Sequence, residues 1–430
     1  MYKTRLLTKV FLYDMIKCMI LYDVVGVVKM NRKYLWIGMC CSDEEKQHIV
    51  DCGGKILSSA VSQDNLTEGL SQFIEFDSIN SFRLPYYPEY KEKKVTPFSW
   101  SRTGKSTDIS VSYLNYKYLS LYFKKVSMVN AAREWARKHQ DDDVSIIVYS
   151  MHSPFMAAAD AVKKIIKNAK INLIVPDLPQ YMDLEPSFVK KILKAIDWVQ
   201  IKNYMKNVDK YILYSEHMAE FLGLDKGCWT VMEGAINEND ITDEEPDRNE
   251  EKITVMYSGV CSLMYGLPEL LDGFSLIEDE NYELWITGAG TAEDLIKERA
   301  AKDKRIKFFG FLPSRQDLLM KQKAATMLIN TRKPDEPASA YCFPSKLFEY
   351  MASANPVLSF DIPGIPREYF DYLVKMDDVT PQAIAEAIKS VAAMSPDDRK
   401  KLGMASRDFV RDNKNKYIQS KKILDFITEK

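Results

Sequence analysis

Residues 343–358 read Phe-Pro-Ser-Lys-Leu-Phe-Glu-Tyr-Met-Ala-Ser-Ala-Asn-Pro-Val-Leu, and they define the most regular local pattern of the second half of the chain. One apolar face of a predicted helix is formed by Leu347, Phe348, Met351 and Ala352. Ser345 is the expected N-cap, while Asn355 tolerates a left-handed stop and Pro356 cannot continue a helix. The pattern therefore predicts a loop, a short helix and a strand over Val357–Phe360.

This short helix would lie between two parallel strands, with its first backbone N–H groups unpaired. Such N–H groups suit a phosphate. Glu349 lies one turn inside the helix, too far along to act as a capping-box acid. Two interpretations of Glu349 stay open at this point, a surface acid on an amphipathic helix and a ligand-binding carboxylate.

Length and composition limit the possible classes of protein. The 430 residues exceed what one hydrophobic core usually supports, so two domains are expected. The net charge of −2 argues against a dedicated nucleic-acid binder, which needs concentrated Lys and Arg. The seven cysteines form no C-x-x-C pair and the four histidines no H-x-x-x-H pair. Reduced thiols, a cytoplasmic location and no bound metal are therefore expected.

The N-terminal residues 1–29 are apolar but interrupted by charges, and no run reaches the roughly 18 apolar residues of a membrane span. We expect an N-terminal extension, with a membrane-surface helix as the alternative. A basic, aromatic helix predicted over 116–140 is most often a solvated face over a core stripe, with peripheral membrane contact as the alternative.

Strands alternate with helices in both halves of the chain. The first half has predicted strands at 34–39, 144–149, 171–175, 209–214 and 229–232, and another starting at Lys55, whereas 62–110 is expected to hold little regular structure. The second half has them at 253–257, 282–287, 306–309, 327–330 and 357–360. This alternation predicts an α/β protein with two facing Rossmann-like domains, each a doubly wound parallel sheet, and a cleft between them.

Domain boundaries follow from composition. We expect an N-terminal Rossmann-like domain at 30–236, an acidic linker at 237–251, a C-terminal Rossmann-like domain at 252–405, and C-terminal helices at 406–430. The last helices either cap the second sheet or cross back onto the first domain. In the first domain, His152 and Asp177 follow predicted strands directly and are site candidates, because open α/β sheets bind ligands at the carboxyl ends of their strands.

The second half resembles the donor domain of GT-B glycosyltransferases, specifically the family 4 group of retaining, nucleotide-sugar-dependent enzymes. The resemblance covers most of 253–365. Its carriers are Tyr257-Ser-Gly259, Gly266-Leu267, Thr287-Gly-Ala-Gly290, Phe309-Gly-Phe-Leu312 and, above all, the stretch 343–358. The first half matches weakly, through strand order and the positions of His152 and Asp177.

The resemblance implies a role for each matching residue. Glu349 would bind the ribose hydroxyls, and the N–H groups of Ser345 and Lys346 would meet the diphosphate without a metal. Phe311 and Leu312 would lie near the base. The donor-binding glycines implied by the resemblance are Gly259, Gly288 and Gly290, of which the last two would allow close approach of the donor. His152 would assist at the sugar or acceptor, as its counterpart does in relatives.

The chain departs from the family pattern at three positions. Tyr341 stands where the first of two glutamates is expected, so its role at the transferred sugar would pass to Asp335 or Glu336, or be lost. Val260 and Tyr265 stand in place of the usual Arg and Lys. The leaving-group charge would then be met by other cations, for which the nearest in sequence are Arg332, Lys333 and Lys346.

The expected function is a hexosyltransferase-type glycosyl transfer from a nucleoside diphosphate sugar to a saccharide or lipid-linked acceptor, in bacterial polysaccharide or glycolipid synthesis. Expected partners are the donor and the acceptor, with no nucleic acid and no cofactor. A catalytically inactive nucleotide-sugar-binding scaffold and a GT-B sugar-nucleotide epimerase are the alternatives.

Overall fold

The computed structural model describes residues 32–429, apart from 57, 182–187, 237, 239–240, 243, 250 and 313. The predicted extension 1–29 lies outside the described residues. Two parallel-sheet domains account for most of the rest, which confirms the α/β class and the Rossmann-like architecture.

The first domain contains an eight-stranded sheet in the order β3-β4-β2-β1-β5-β6-β7-β8, parallel except for β3 against β4. The strands are β1 (Arg32–Gly38), β2 (Phe76–Asn80), β3 (Phe98–Trp100), β4 (Asp108–Ser110), β5 (Asp143–Tyr149), β6 (Lys170–Val175), β7 (Lys210–Leu213) and β8 (Trp229–Val231). Its helices are α1 (Asp43–Asp51), α2 (Ser58–Ser71), α3 (Ser120–Lys138), α4 (Ser153–Ile165), α5 (Phe188–Met205) and α6 (His217–Leu222). The central strands β1, β5 and β6 are nearly continuous runs of buried apolar residues, as a sheet covered on both faces requires.

The second domain contains six parallel strands in the order β11-β10-β9-β12-β13-β14. They are β9 (Ile253–Ser258), β10 (Tyr282–Thr287), β11 (Ile306–Phe308), β12 (Met327–Asn330), β13 (Val357–Phe360) and β14 (Val374–Met376). The helices are α7 (Leu267–Ser275), α8 (Glu293–Lys302), α9 (Arg315–Ala324), α10 (Lys346–Ala352), α11 (Pro381–Ala392) and α12 (Pro396–Asn413). A 3-10 helix, Pro337–Ala340, lies in the loop between β12 and α10.

The last helix, α13 (Lys416–Thr428), leaves the second domain and packs on α2 of the first. Ser420 Oγ donates to the carbonyl of Leu66 at 3.0 Å. A Cβ at Gly69 would lie 2.4 Å from the Lys416 carbonyl oxygen, so glycine permits the close approach of the two backbones. Of the two positions that the sequence left open for the C-terminal helices, α13 occupies the one on the first domain.

The expectation of little structure over 62–110 is wrong, since α2, β2, β3 and β4 lie there. Helix α2 shows weak apolar periodicity because several of its buried residues are polar. Gln63, for example, is fully buried and its Oε1 accepts from the Met39 N–H at 2.7 Å. The strand expected from Lys55 is also absent, because Lys55 and Ile56 lie in a loop before α2.

Candidate functional site

Helix α10 is anchored by its apolar face, as the sequence predicts, and by one buried tyrosine. Tyr350 Oη donates to the carbonyl of Ser258 at 2.7 Å and accepts from the Ser258 N–H at 2.8 Å, which ties α10 to the end of β9. Ser345 occupies the N-cap position but makes no side-chain capping bond. The helix is stopped by Ala354 (φ +61°) rather than by Asn355, whose buried amide instead donates to two carbonyls of α9.

Most of the predicted donor residues follow neighbouring strands at the carboxyl edge of the second sheet. Gly259 follows β9, Gly288 and Gly290 follow β10, Phe311 and Leu312 follow β11, and Arg332 follows β12, while Ser345, Lys346 and Glu349 belong to α10. The topology therefore brings all of the predicted second-domain residues to one edge.

The turns that contain the glycines pack on one another. A Cβ at Gly288 would lie 1.8 Å from the Gly259 carbonyl oxygen, and one at Gly290 would lie 2.4 Å from that of Cys261. Both glycines have positive φ. A Cβ at either position would therefore meet backbone atoms of the turn after β9. A Cβ at Gly259 would instead lie 3.7 Å from Cδ of Lys346.

Lys346 and Arg332 are the cations of this edge. The Lys346 Nζ lies 4.0 Å from the ring centroid of Tyr257. Burial, and then the charge of Arg332, lower the pKa of Lys346 to about 7. Arg332 is well buried, its Nε donates to Ser339 Oγ at 3.1 Å, and its guanidinium lies 5.4 Å from the Tyr265 ring centroid. Tyr265, noted in the sequence as replacing a basic residue, therefore packs against one.

Two carboxylates lie beside these cations. Glu349 is half-buried, and its Oε1 lies 3.1 Å from Nη1 of Arg315, the first residue of α9. Glu336 is buried, and its Oε2 lies 3.9 Å from Arg332 Nε without a hydrogen-bond partner among the described residues. Burial raises the pKa of Glu336, and the charges of Arg332 and Lys333 oppose that rise. The sequence indicated Glu336 only as a substitute for the glutamate expected at position 341, and it did not indicate Arg315 at all. Neither residue belongs to a recognisable motif.

Tyr341 lies at the junction of the two domains. Its ring stacks on Tyr181 at 5.2 Å between centroids and lies 5.1 Å from the Phe221 ring. The carbonyl of the preceding Ala340 accepts from Ser215 Oγ at 2.6 Å. The residue in the position of the family glutamate is therefore used to dock the second domain on the first.

The first-domain candidates lie at the carboxyl ends of β5 and β6. His152 is the N-cap residue of α4, and burial, followed by the charges of Lys124 and Arg83, lowers its pKa to about 3. It is thus a neutral imidazole at ordinary pH. Asp177 is exposed at the surface. Desolvation by the surrounding protein raises its pKa, and the charge of Arg332 opposes that rise. This interaction brings Asp177 together with the second-domain cluster.

Phe311 is the most exposed aromatic side chain of the site, with 72% of its surface accessible. Leu312, beside it, is half-buried. An exposed ring at the carboxyl edge of a parallel sheet can stack on a planar ligand. The site thus combines an exposed aromatic ring with the cations Arg315, Arg332 and Lys346 and the carboxylates Asp177, Glu336 and Glu349.

Residues 252–393 match the protein family described as Glycosyl transferases group 1. The match extends from the start of β9 to the end of α11 and so covers most of the second domain. Comparison of the chain with curated protein sequences gives no match.

Solved structures similar to this chain include three sugar-transfer proteins. HepE from Anabaena, in complex with UDP, has a TM-score of 0.60 at 11% identity, with 92% of this chain and 99% of that chain covered. A glycosyltransferase from Rickettsia africae has a TM-score of 0.62 at 15% identity, with 93% and 100% covered. The lipopolysaccharide outer core galactosyltransferase WaaB gives 0.56 at 15%, with 92% and 99% covered. At these identities the likeness concerns the fold, which is GT-B.

Proposed function

We propose that the protein transfers a sugar from a nucleoside diphosphate sugar to a saccharide or lipid-linked acceptor. The observation that carries this proposal is the convergence of Arg332 and Lys346 at the carboxyl edge of a glycosyltransferase domain. Burial, and then repulsion from Arg332, lower the Lys346 pKa, and a diphosphate beside both cations would relieve that repulsion. The similar folds of HepE, solved with UDP, and of the galactosyltransferase WaaB support the same proposal.

Different residues hold the diphosphate, the ribose, the base and the transferred sugar of the donor. Lys346 and Arg332 bind the diphosphate, and the Ser345 hydroxyl and N–H are free of a capping bond beside them. Glu349 accepts the ribose hydroxyls in charge-assisted hydrogen bonds, and Phe311 stacks on the base. The buried, unpartnered Oε2 of Glu336 accepts a hydroxyl of the transferred sugar, the role that Tyr341 cannot fill.

Transfer proceeds on one face of the sugar, with retention and without a metal. The bond between the anomeric carbon and the diphosphate oxygen breaks, the acceptor oxygen bonds to that carbon on the same face, and the acceptor proton passes to the departing diphosphate. His152, held neutral, donates or accepts a hydrogen bond at the sugar or acceptor. Asp177 orients Arg332 from the opposite domain.

A thermal-shift screen with UDP, GDP, ADP, TDP and CMP tests donor binding, since a ligand that binds the folded state raises its stability by mass action. At least one nucleoside diphosphate should raise the melting temperature. Glu349→Ala should weaken that nucleotide by more than about tenfold, because hydrogen bonds to charged groups contribute about 1.5–3 kcal/mol. Glu298→Ala, an exposed acid on α8, is the matched control. The donor assignment would be refuted if no nucleotide raised the melting temperature, or if Glu349→Ala bound the nucleotide as tightly as the parent protein.

Donor binding without transfer is the second candidate function, because Tyr341 replaces the family glutamate. Product formation from a panel of sugar nucleotides and acceptors separates the two candidates. Under our proposal Glu336→Gln lowers turnover by at least about tenfold while nucleotide affinity stays within about twofold. Nucleotide binding with neither transfer nor donor hydrolysis would favour the inactive scaffold, and donor conversion without any acceptor would favour an epimerase.

Contact with a membrane surface is a further part of this proposal. Helices α3 and α5 are linked by a hydrogen bond from Lys125 Nζ to Gln200 Oε1. Together they expose Leu119, Tyr122, Ile192, Ile196 and Val199, flanked by the exposed Lys117, Lys191 and Lys202. Apolar side chains ringed by lysines fit an anionic lipid surface. None of the helices in the described part of the chain has the length and apolar composition of a membrane span.

Co-sedimentation with phosphatidylglycerol vesicles tests this surface. The double variant Ile196→Asp/Val199→Asp should lose most of the binding, and vesicles of phosphatidylcholine alone should bind less than the anionic ones. Val61→Asp, an exposed apolar residue on α2, is the control. Equal binding by the double variant and the parent protein would contradict the assignment.

A further inference from the structure

Three side chains of the first domain, two from the end of α1 and one from a distant loop, meet in one place. His48 Nε2 lies 3.1 Å from Glu92 Oε1 and 3.7 Å from Cys52 Sγ, and the three ligand atoms all lie within 4.8 Å of one another. His48 and Cys52 are four positions apart and share a helix face, while Glu92 comes from the loop between β2 and β3. Sequence spacing alone did not indicate a metal, because the third residue is 44 positions away from His48.

The separations match those in a tetrahedral zinc site. Bonds of about 2.0 Å to nitrogen and oxygen and about 2.3 Å to sulfur place ligand atoms roughly 3.3–3.6 Å apart. The two measured separations fall within a few tenths of an ångström of these values. One sulfur, one imidazole and one carboxylate form a ligand set that suits Zn²⁺ better than Mg²⁺ or Ca²⁺.

Hydrogen bonds from a neighbouring residue orient one side chain of this cluster. Glu92 is oriented by Thr96, whose hydroxyl donates to Oε1 at 2.7 Å and whose N–H donates to Oε2 at 3.0 Å. The Tyr90 ring is fully buried, and its hydroxyl lies near the Cys52 thiol but without the geometry of a hydrogen bond to any described residue. A thiolate at Cys52 would be a strong acceptor for this orphan hydroxyl, and hydrogen bonds of this kind accompany protein metal ligands.

We propose that His48, Cys52 and Glu92 bind a Zn²⁺ ion through Nε2, Sγ and a carboxylate oxygen. Water completes the tetrahedron. Binding displaces the Cys52 thiol proton to solvent, and the imidazole coordinates in its neutral form. The inference is independent of the proposed sugar transfer.

The bound ion fastens the loop after β2 to α1. This loop also contains Phe82, whose carbonyl accepts from the buried Lys124 at 2.6 Å. Lys124 is one of the two cations that lower the pKa of His152. Zinc therefore stabilises the loop that contacts Lys124. The charge of Lys124 in turn acts on His152, one of the predicted site residues.

Cobalt substitution tests the site on the full chain. The protein is stripped with EDTA, titrated with Co²⁺ under argon and then with Zn²⁺. We expect one equivalent of Co²⁺ with a thiolate-to-cobalt absorption band and tetrahedral d–d bands, both removed by one equivalent of Zn²⁺. Cys52→Ser should abolish the thiolate band. Glu92→Gln should weaken Zn²⁺ by more than about tenfold, since loss of even an outer-shell partner costs about that much.

Cys228→Ser is the control, because that half-buried cysteine of the first domain donates to the Asp225 carbonyl and lies outside the cluster. It should keep the band and the affinity. A measurement on the parent protein covers the case in which a variant fails to fold, since Zn²⁺ should slow iodoacetamide labelling of Cys52 but leave that of Cys228 unchanged. Absence of the thiolate band, its persistence in Cys52→Ser, or equal labelling of Cys52 with and without Zn²⁺ would overturn the proposal.

Discussion

Lys346 is the residue whose chemistry depends most on its surroundings. In water its amine would be protonated up to pH 10.5, but burial and the neighbouring Arg332 lower its pKa to about 7. The protein without ligand therefore loses this positive charge just above neutral pH. A diphosphate would raise the pKa again by supplying an opposite charge.

Nucleoside diphosphate affinity should consequently fall as the pH rises through 7. Only the protonated amine binds the anion well, so the dissociation constant should increase about fivefold between pH 7 and pH 8 and continue to increase above that. Titration calorimetry with the nucleotide selected by the screen measures this and should also record proton uptake on binding above pH 7.

Lys346→Arg is the matched variant, because a guanidinium stays charged throughout this range. Its affinity should be nearly flat between pH 7 and pH 9. A parent protein with pH-independent affinity, or a Lys346→Arg variant with the same slope as the parent, would exclude Lys346 as the diphosphate ligand.

The sequence predicted the position of Glu349 but not its partner. The motif specifies a helix and a carboxylate one turn inside it, both of which depend on local spacing. The ion pair with Arg315 depends on how α9 packs beside α10. Likewise, Tyr341 could be recognised as a departure from the family pattern, whereas its contact with Tyr181 requires both domains.

At the level of elements, the turns after β9 and β10 behave as one packed unit. The Gly259 N–H donates to the Thr287 carbonyl at 3.1 Å, and the Gly288 N–H donates to the Gly310 carbonyl at 2.8 Å. Gly288 has a φ of +138° and no room for a Cβ. The glycine pattern is therefore a requirement of packing between turns.

Gly288→Ala should destabilise the protein by more than about 2 kcal/mol, because the backbone of the β9 turn must move. Gly310→Ala is the control. Its φ is +64°, but nothing lies within 4 Å of the added Cβ, so only the left-handed strain of about 1–2 kcal/mol applies. Urea unfolding followed by tryptophan fluorescence compares the two, and equal losses would contradict the packing argument.

Helix α2 illustrates where element prediction failed. Buried positions on a helix are normally recognised by apolar residues, but here Gln63, Asn65 and Thr67 are buried. Gln63 bonds the backbone just beyond β1, and Thr67 donates to the carbonyl of Gln63 at 2.9 Å. Periodicity cannot reveal such a helix, because the partners that satisfy its polar side chains belong partly to other segments.

Across the whole molecule, a buried ion pair joins the first domain to the crossing C-terminal segment. Lys414 Nζ lies 3.0 Å from Glu233 Oε1 and 2.6 Å from Glu368 Oε1, and the side chains of Lys414 and Glu233 are only 4% and 2% exposed. Gln419 Nε2 also donates to Glu233 at 3.2 Å. Glu233 follows the first sheet, Glu368 belongs to the second domain, and Lys414 connects them.

Lys414→Met should lower stability by about 3–5 kcal/mol, since it leaves Glu233 charged and buried without its cation. The double variant Lys414→Met/Glu233→Gln should recover much of that loss. Lys421→Met, which removes an exposed pair with Asp425, should change stability by less than about 1 kcal/mol. Guanidinium unfolding of all three measures this, and a double variant no more stable than Lys414→Met would contradict the ion-pair explanation.

The sequence by itself determined the α/β class, the two parallel sheets, the positions of most strands along the chain and the short helix α10, because these depend on local periodicity and on turn residues. Only the tertiary structure decided which charges meet. The reduced basicity of Lys346 beside Arg332, the unpartnered oxygen of Glu336, the docking of Tyr341 and the His48–Cys52–Glu92 cluster all join residues from separate segments. Electrostatic and metal-binding properties depend on distances between such segments, and spacing along one chain does not fix those distances.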